Sequence, residues 1–326
     1  MDFLDTLWLG TPMWMWLGFM ALVAVLLTLD LGVLHRKERE IGVRESLAMS
    51  AFYIALGLGF GGWVWWQMGE TPAINYVTGF VVEKSLAMDN VFVIAMIFAY
   101  FGIPRLHQHR VLFWGILGVI LLRAIMIGFG AAAVQQWSWL LYFFAAFLIF
   151  TGIRMWAMAD KEYDVGGSPV LKWVRRRFRV TDDLHGERFW VRLPDPKTGK
   201  AALFMTPLFL ALIMVEFVDV VFAVDSVPAI FAITTDPFIV YTSNIFAILG
   251  LRALYFALAA MVDRFHYLKY ALSLLLVFIG SKIFVADALG LAKIPPAVSL
   301  GVTFAILAGG VAYSLVRTAR PVEARA

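Results

Sequence analysis

Apolar runs about as long as a bilayer core is thick recur nine times along the chain. They fall at 13–34, 47–69, 73–102, 111–134, 137–159, 206–232, 237–261, 269–286 and 296–316. About 20 helical residues cross ~30 Å of hydrocarbon, and a helix satisfies its own backbone there. The pattern predicts an all-α polytopic membrane protein of about nine transmembrane helices. The third run is long enough to imply tilt or a break. Composition agrees: 62% of the 326 residues are hydrophobic, against roughly 45–50% in soluble domains. The whole chain, 1–326, reads as a single transmembrane domain. The opening MDFLDTLW has no basic stretch and carries Asp2 and Asp5, unlike a cleaved signal peptide.

Lys and Arg orient the spans. Counted by loop, twenty-one lie on one side and only Lys293 on the other. Basic residues stay on the cytoplasmic face, so the N-terminus is expected outside and the C-terminus inside. Ten of the twenty-one lie in the one long polar segment, 160–205. Within it, PVLKWVRRRFRV spaces apolar and basic residues as an interfacial helix does, or as a solvated basic linker. RFWVRLP and KAALFMT flank the turn-rich DPKTGK and predict a short hairpin. No nucleotide-binding motif occurs there.

The chain repeats itself. EKSLAMDNV (83–91) aligns with DVVFAVDSV (219–227), LLRAI (121–125) with GLRAL (250–254), and FTGIRM (150–155) with FIGSKI (278–283). The units are 73–159 and 206–286, three spans each. An odd number of spans inverts the second copy relative to the first. Inverted repeats are a transporter architecture with the substrate at the repeat interface.

Charge inside the spans supplies the candidate chemistry. The acids are Asp30, Glu83, Asp89, Glu216, Asp219 and Asp225; the bases are Lys84, Arg123, Arg154, Arg252 and Lys282. Each costs roughly 2.5–3.5 kcal/mol at a bilayer centre on insertion scales. Ion pairs that merely lock the bundle are the plainer reading, but they leave the duplicated placement of the acids unexplained. As repeat partners, Arg123 and Arg252 should each neutralise an acid when no metal is bound. Glu216 and Asp219 share a helix face. Asp225 points about 120° away from Asp219, so a kink at Pro228 is expected to free the Val224 carbonyl beside it. Asn90 and Ser226 add neutral oxygens. Glu83, Asp89, Asn90, Glu216, Asp219, Asp225 and Ser226 thus form a candidate oxygen site for Mg²⁺, Ca²⁺ or Mn²⁺. Two or three carboxylates, Asp89 among them, are expected to surround one ion.

The remaining candidates are weaker. With no cysteine, disulfides, thiolate metal sites and cysteine nucleophiles are excluded. The histidines fall in or beside cytoplasmic loops, where His107 and His109 read as solvated. Met88 reads as packing. Trp8, Trp14, Trp16, Trp63, Trp65, Trp66, Trp137 and Trp139 read as an interfacial belt.

LDLGVLHRK (29–37), EKSLAMDNVFV (83–93), the stretch 206–256 and FIGSKI (278–283) resemble the TerC family of integral membrane proteins, its Alx-type members above all. The resemblance implies export of Mn²⁺ from the bacterial cytoplasm across the inner membrane, and kinship with the LysE superfamily of exporters. It places Asp30, Glu83, Asp89, Asn90, Glu216, Asp219, Asp225 and Ser226 on the family's acidic motifs. The expectation is a secondary transporter exchanging Mn²⁺ for protons, with no bound cofactor and no nucleic-acid partner. No P-loop is present to couple ATP. The rival reading is a membrane scaffold that helps insert or metallate other proteins. A membrane hydrolase would need HExxH, GxSxG or an intramembrane Ser/His pair, and none occurs.

Overall fold

The computed structural model describes residues 3–32, 42–159, 164–194, 199–258, 267–290 and 294–319. A two-residue ribbon, β1 (Leu7–Trp8) with β2 (Thr11–Pro12), leads into α1 (Met13–Gly32). There follow α2 (Val43–Met68), α3 (Glu70–Tyr100), α4 (Arg105–Gln136) and α5 (Leu140–Ala157). The segment after them holds α6 (Pro169–Arg177), β3 (Trp190–Pro194) and β4 (Ala201–Met205). The chain returns through α7 (Pro207–Phe231), α8 (Pro237–Leu249), α9 (Leu251–Leu258), α10 (Leu268–Ala288) and α11 (Pro296–Ala319). Among the described residues, six helices are long and apolar enough to cross a membrane: α2, α4, α5, α7, α10 and α11. The apolar parts of α1 and α8 are shorter. The 31-residue α3 is long enough but carries Glu83, Lys84 and Asp89.

The helix break falls elsewhere than the sequence suggested. The long third span is one unbroken helix, α3. Pro228 does not interrupt α7, which continues to Phe231. Pro228 sits in its last turn, where it still withholds a donor from the Val224 carbonyl without ending the helix. The break falls instead at Gly250, between α8 and α9. A side chain at Gly250 would begin 2.9 Å from Tyr53 Cβ and 2.8 Å from Lys84 Nζ, so the close approach of α2 and α3 requires glycine.

Sharp turns and small residues bring the helices together. Gly69 alone separates α2 from α3, at φ 94°, a conformation that costs glycine little. The two helices then pack face to face, Tyr76 donating its hydroxyl to the Gly57 carbonyl at 3.0 Å. Gly152 of α5 and Gly280 of α10 let those helices touch backbone to backbone. A Cβ on Gly152 would lie 2.8 Å from Ser273 O, and one on Gly280 would lie 2.5 Å from Ala145 O. Each residue of α8 is buried.

The polar segment forms the hairpin its sequence implies, β3 antiparallel to β4 with Trp190 opposite Met205. Leu171 and Val174 of α6 are buried in an apolar cluster with residues of α7. Arg175, Arg176, Arg177 and Trp173 stay exposed. Met88 packs between two apolar clusters. Trp16 departs from the expected belt: it is buried, and its indole donates to the Trp8 carbonyl.

Candidate functional site: a buried charge network

Glu83, Asp89, Arg123, Asp219 and Asp225 come together between α3, α4 and α7, with Asn244 of α8 beside them. The Arg123 guanidinium of α4 is 2% exposed and pairs with Glu83, which is 1% exposed. Its Nη1 also donates to Ser226 Oγ at 3.0 Å and to Asn244 Oδ1 at 2.9 Å. Nearby on the same two helices, Asn90 Nδ2 donates to Asp219 Oδ1 at 3.2 Å. Thus α3 and α7 run antiparallel, with 83 near 226 and 90 near 219. These are the positions the repeat alignment exchanges: Glu83 corresponds to Asp219, and Asn90 to Ser226.

Asp89 and Asp225 face a cavity of about 30 Å³, whose wall includes Glu83, Asn90, Arg123 and Met155. That is room for a water or a bare ion. Thr151 and Arg154 of α5 lie near Asp225, and the ammonium of Lys269 on α10 is within electrostatic reach of Asp89. Glu83 Oε2 and Asn90 Oδ1 are buried with no hydrogen-bond partner among the described residues. Buried oxygens left unsatisfied are costly, and a cation or a water in the cavity would satisfy them.

Asp89, Asp225 and Glu83 line that one cavity, whereas Asp219 and Glu216 do not. Among the described residues no three carboxylates or imidazoles converge closely enough to hold a metal by themselves. The acids are strung along α3 and α7, with Arg123 among them. Glu216 stands apart, its carboxylate filling the space that a side chain on Gly118 would occupy. Of the predicted bases, Lys84 pairs with no acid among the described residues. Its Nζ donates at 3.0 Å to Ala247 O, in the last turn of α8, where exposed carbonyls attract a cation. Lys282 is 3.4 Å from Ser299 Oγ, in the wall of a separate cavity of about 530 Å³. That cavity opens on the face opposite α6 and the β3–β4 hairpin. The side chains of Asp30 and Arg252 lie outside the described residues. His107 Nδ1 and His109 Nε2 each approach Glu187 at 3.8 Å.

The sequence reading passed over Asn244 and Thr151. An amide inside the apolar run FIVYTSNIFAIL was a usable signal for Asn244, since a buried amide needs a partner. Thr151 gave none, because a helical Thr can satisfy itself on its own backbone.

Helices packed around a line of buried, partly paired charges define a polytopic membrane protein built to accommodate charge inside the bilayer. The profile of the integral membrane protein TerC family matches residues 68–321. The chain belongs to the TerC family and is a multi-pass integral membrane protein. An uncharacterized membrane protein of Myxococcus xanthus is 45% identical over 95% of this chain and 94% of its own length. One from Rickettsia bellii is 46% identical over 93% and 97%. Alx of Salmonella typhi, described as a proposed membrane-bound redox modulator, is 47% identical over 91% and 92%. No solved structure matches.

Proposed function

We propose that this protein is a secondary transporter that exports Mn²⁺ from the bacterial cytoplasm in exchange for protons. The observation that carries the reading is the ion-sized cavity between Asp89 and Asp225, with unsatisfied oxygens of Glu83 and Asn90 in or beside it. Hard divalent cations take six or more oxygens. Asp89, Asp225, Glu83, Asn90 and Ser226 offer such a set, and Asp219 stands behind Asn90. Arg123 acts as a tethered counter-cation that holds Glu83 until the substrate displaces it. A carboxylate that has released a cation can take up a proton, which is the exchange an inward proton gradient would drive. Oxygen ligands alone fit Mg²⁺, Ca²⁺ and Mn²⁺. The choice of Mn²⁺ comes from the TerC resemblance, and Met155 in the wall suits the softest of the three.

Reciprocal contacts support the inverted repeat. Gly152 packs on residues 273 and 277, and Gly280 on 145 and 149; adding 128 to one set of numbers gives the other. To within one residue of the alignment, Gly79 of α3 approaches Ser243 of α8 as Gly115 of α4 approaches Val215 of α7. We read nine crossings, with α8 and α9 together making one. The N-terminus is outside, α6 and the β3–β4 hairpin are cytoplasmic, and the basic face of α6 rests on anionic lipid. The name of the Salmonella relative speaks of redox modulation. With no cysteine in this chain, any such effect would run through the metal it moves and not through its own thiols. A scaffold that metallates other proteins would need a partner, whereas a transporter does not.

The test is flux through the purified protein alone. In proteoliposomes it should move Mn²⁺ and counter-move protons. Asp225→Asn and Asp89→Asn, equally well folded, should lower the rate at least 100-fold, and Glu216→Gln should be milder. Unchanged flux in both aspartate variants would make the acids structural.

A further inference from the structure

The ion-sized cavity sits between two larger ones. Opposite α6 lies the cavity of about 530 Å³, whose wall includes Thr78, Leu141, Ala232 and Ile283. On the side of α6, a cavity of about 260 Å³ is lined by Ala95 and Phe98 of α3, Arg105 and Gln108 of α4, and Tyr255 of α9. Ile103, also in its wall, belongs to the apolar cluster that holds Leu171 of α6. Ala95 and Ala99 of this inner cavity are the repeat counterparts of Phe231 and Thr235 in the outer one, at an offset of 136. The three cavities share no wall residue.

What lies between them is apolar. Toward the outer cavity it is a layer of Val82, Leu148, Ala229 and Ile279, each at most 1% exposed. Four helices present the same order along one face: ion cavity, layer, outer cavity. On α3 it reads Leu86, Val82, Thr78, and on α5 Met155, Leu148, Leu141. On α7 it reads Asp225, Ala229, Ala232, and on α10 Leu276, Ile279, Ile283. Steps of three, four or seven residues keep to one side of a helix. A single buried cluster joins the layer to Leu276 of the ion cavity and Ala232 of the outer one. Toward the inner cavity the layer is Val91 and Ile94 of α3, Leu112 of α4 and Val218 of α7, buried in a second cluster. Here Ala87, Val91 and Ala95 step by four from the ion cavity to the inner one, as do Asn90, Ile94 and Phe98. Val82 and Val218 are repeat counterparts, each directly before the first acid of its motif, Glu83 or Asp219.

A layer one helical turn deep is about 5 Å of hydrocarbon. Aliphatic side chains give an ion nothing in exchange for its water, and a constriction of that kind holds ions back by excluding water. We propose that the two layers are the outer and inner gates of the cation path, that the two larger cavities are its mouths, and that both gates are shut here around Asp89 and Asp225. The inference rests on the transporter reading above. Opening one gate at a time puts the acids in contact with one side only, as coupled exchange requires. Leu148 and Ile279 come from α5 and α10, which touch backbone to backbone at Gly152 and Gly280 and so move as one body. The inner layer draws on neither helix. Drawing α5 and α10 away from α3 and α7 therefore parts the outer gate and leaves the inner one shut.

The chain has no cysteine, so one introduced thiol reports on one place. Leu272→Cys puts it in the wall of the ion cavity, and Asn75→Cys in the wall of the outer cavity. Sealed vesicles of known orientation receive Ag⁺ on one face in chloride-free medium, and the thiols left unreacted are counted with a maleimide after denaturation. Adding Leu148→Ala should speed the reaction of Leu272→Cys about tenfold from outside and not from the cytoplasmic face, because the truncation leaves a hole in the outer layer. Ile279→Val, a milder cut in the same layer, should speed it about threefold. Asn75→Cys should react at one rate throughout. Leu112→Ala should speed Leu272→Cys from the cytoplasmic face alone. Ile239→Ala empties a fully buried site in α8 that lines none of the three cavities, and it should speed neither. Acceleration by Ile239→Ala, equal acceleration from both faces by Leu148→Ala, or none from any layer variant overturns the proposal. The reaction with Ag⁺ needs no Mn²⁺. If it behaves as stated but the protein moves no Mn²⁺, the transporter reading falls and the sealed cavity with two mouths stands. If Mn²⁺ moves while Leu272→Cys is indifferent to both layers, the transporter stands and the gates fall.

Discussion

Arg123 is the residue on which most of the network depends. It pairs with Glu83 and donates to Ser226 and Asn244, so removing it strands one charge and two dipoles. Arg123→Met should lower stability by about 3–5 kcal/mol, the usual cost of leaving a buried charge uncompensated. Arg123→Met combined with Glu83→Gln should recover most of that loss, since the charge is then gone from both sides. Thermal melts in detergent decide the matter, and equal melting of all three proteins would show that the pair does not hold the helices. The acids and Arg123 were readable because a charge in an apolar run is conspicuous. Their partners were less so. Asn244 and Thr151 are ordinary polar residues whose roles depend on which helix lies opposite, and one sequence does not say. The same limit explains Lys84. As a base among acids it looked like a counter-ion, but the nearest acceptor in space is a carbonyl in the last turn of α8.

At the level of the helix, the long apolar helices were legible because bilayer thickness fixes their length. Breaks were not legible by the same route. Proline announces itself, yet Pro228 lies where α7 is ending anyway. Gly250 is one of 26 glycines, and what distinguishes it is the approach of Tyr53 and Lys84 from other helices. The α5–α10 crossing can be tested in the same terms. Gly280→Ala would place a methyl 2.5 Å from Ala145 O. Because that atom is backbone, the helices must part, at about 1–3 kcal/mol. Gly152→Ala should cost a similar amount. Gly62→Ala meets nothing within 4 Å and should be neutral or stabilising by up to ~1 kcal/mol. Melting temperatures rank the three. An unchanged Gly280→Ala protein would mean that the backbones do not meet there.

For the molecule as a whole, the loop charges predict opposite fates for the two ends. Reporter tags at residues 2 and 326 should lie on opposite faces of the membrane, with residues 164–194 on the side of the C-terminus. Both tags on one face would end the nine-crossing reading and, with it, the inversion of the repeat. The helices also differ in their neighbours. Little of α5 and α11 is buried, three residues of α5 and four of the described residues of α11, so in a membrane their outer surfaces face lipid. No part of α8 does, since each residue from Pro237 to Leu249 is buried. Lipid is an undemanding neighbour and accepts Leu, Ile, Val or Phe alike. A protein neighbour accepts one shape. A deep substitution scan should therefore be permissive on α5 and α11 for any apolar residue and intolerant along all of α8, even of changes as slight as Ile to Leu. The vocabulary open to each helix is set by the company it keeps. The stretch 206–256, which most plainly carries the family's signature, spells out the part of the chain that speaks chiefly to itself.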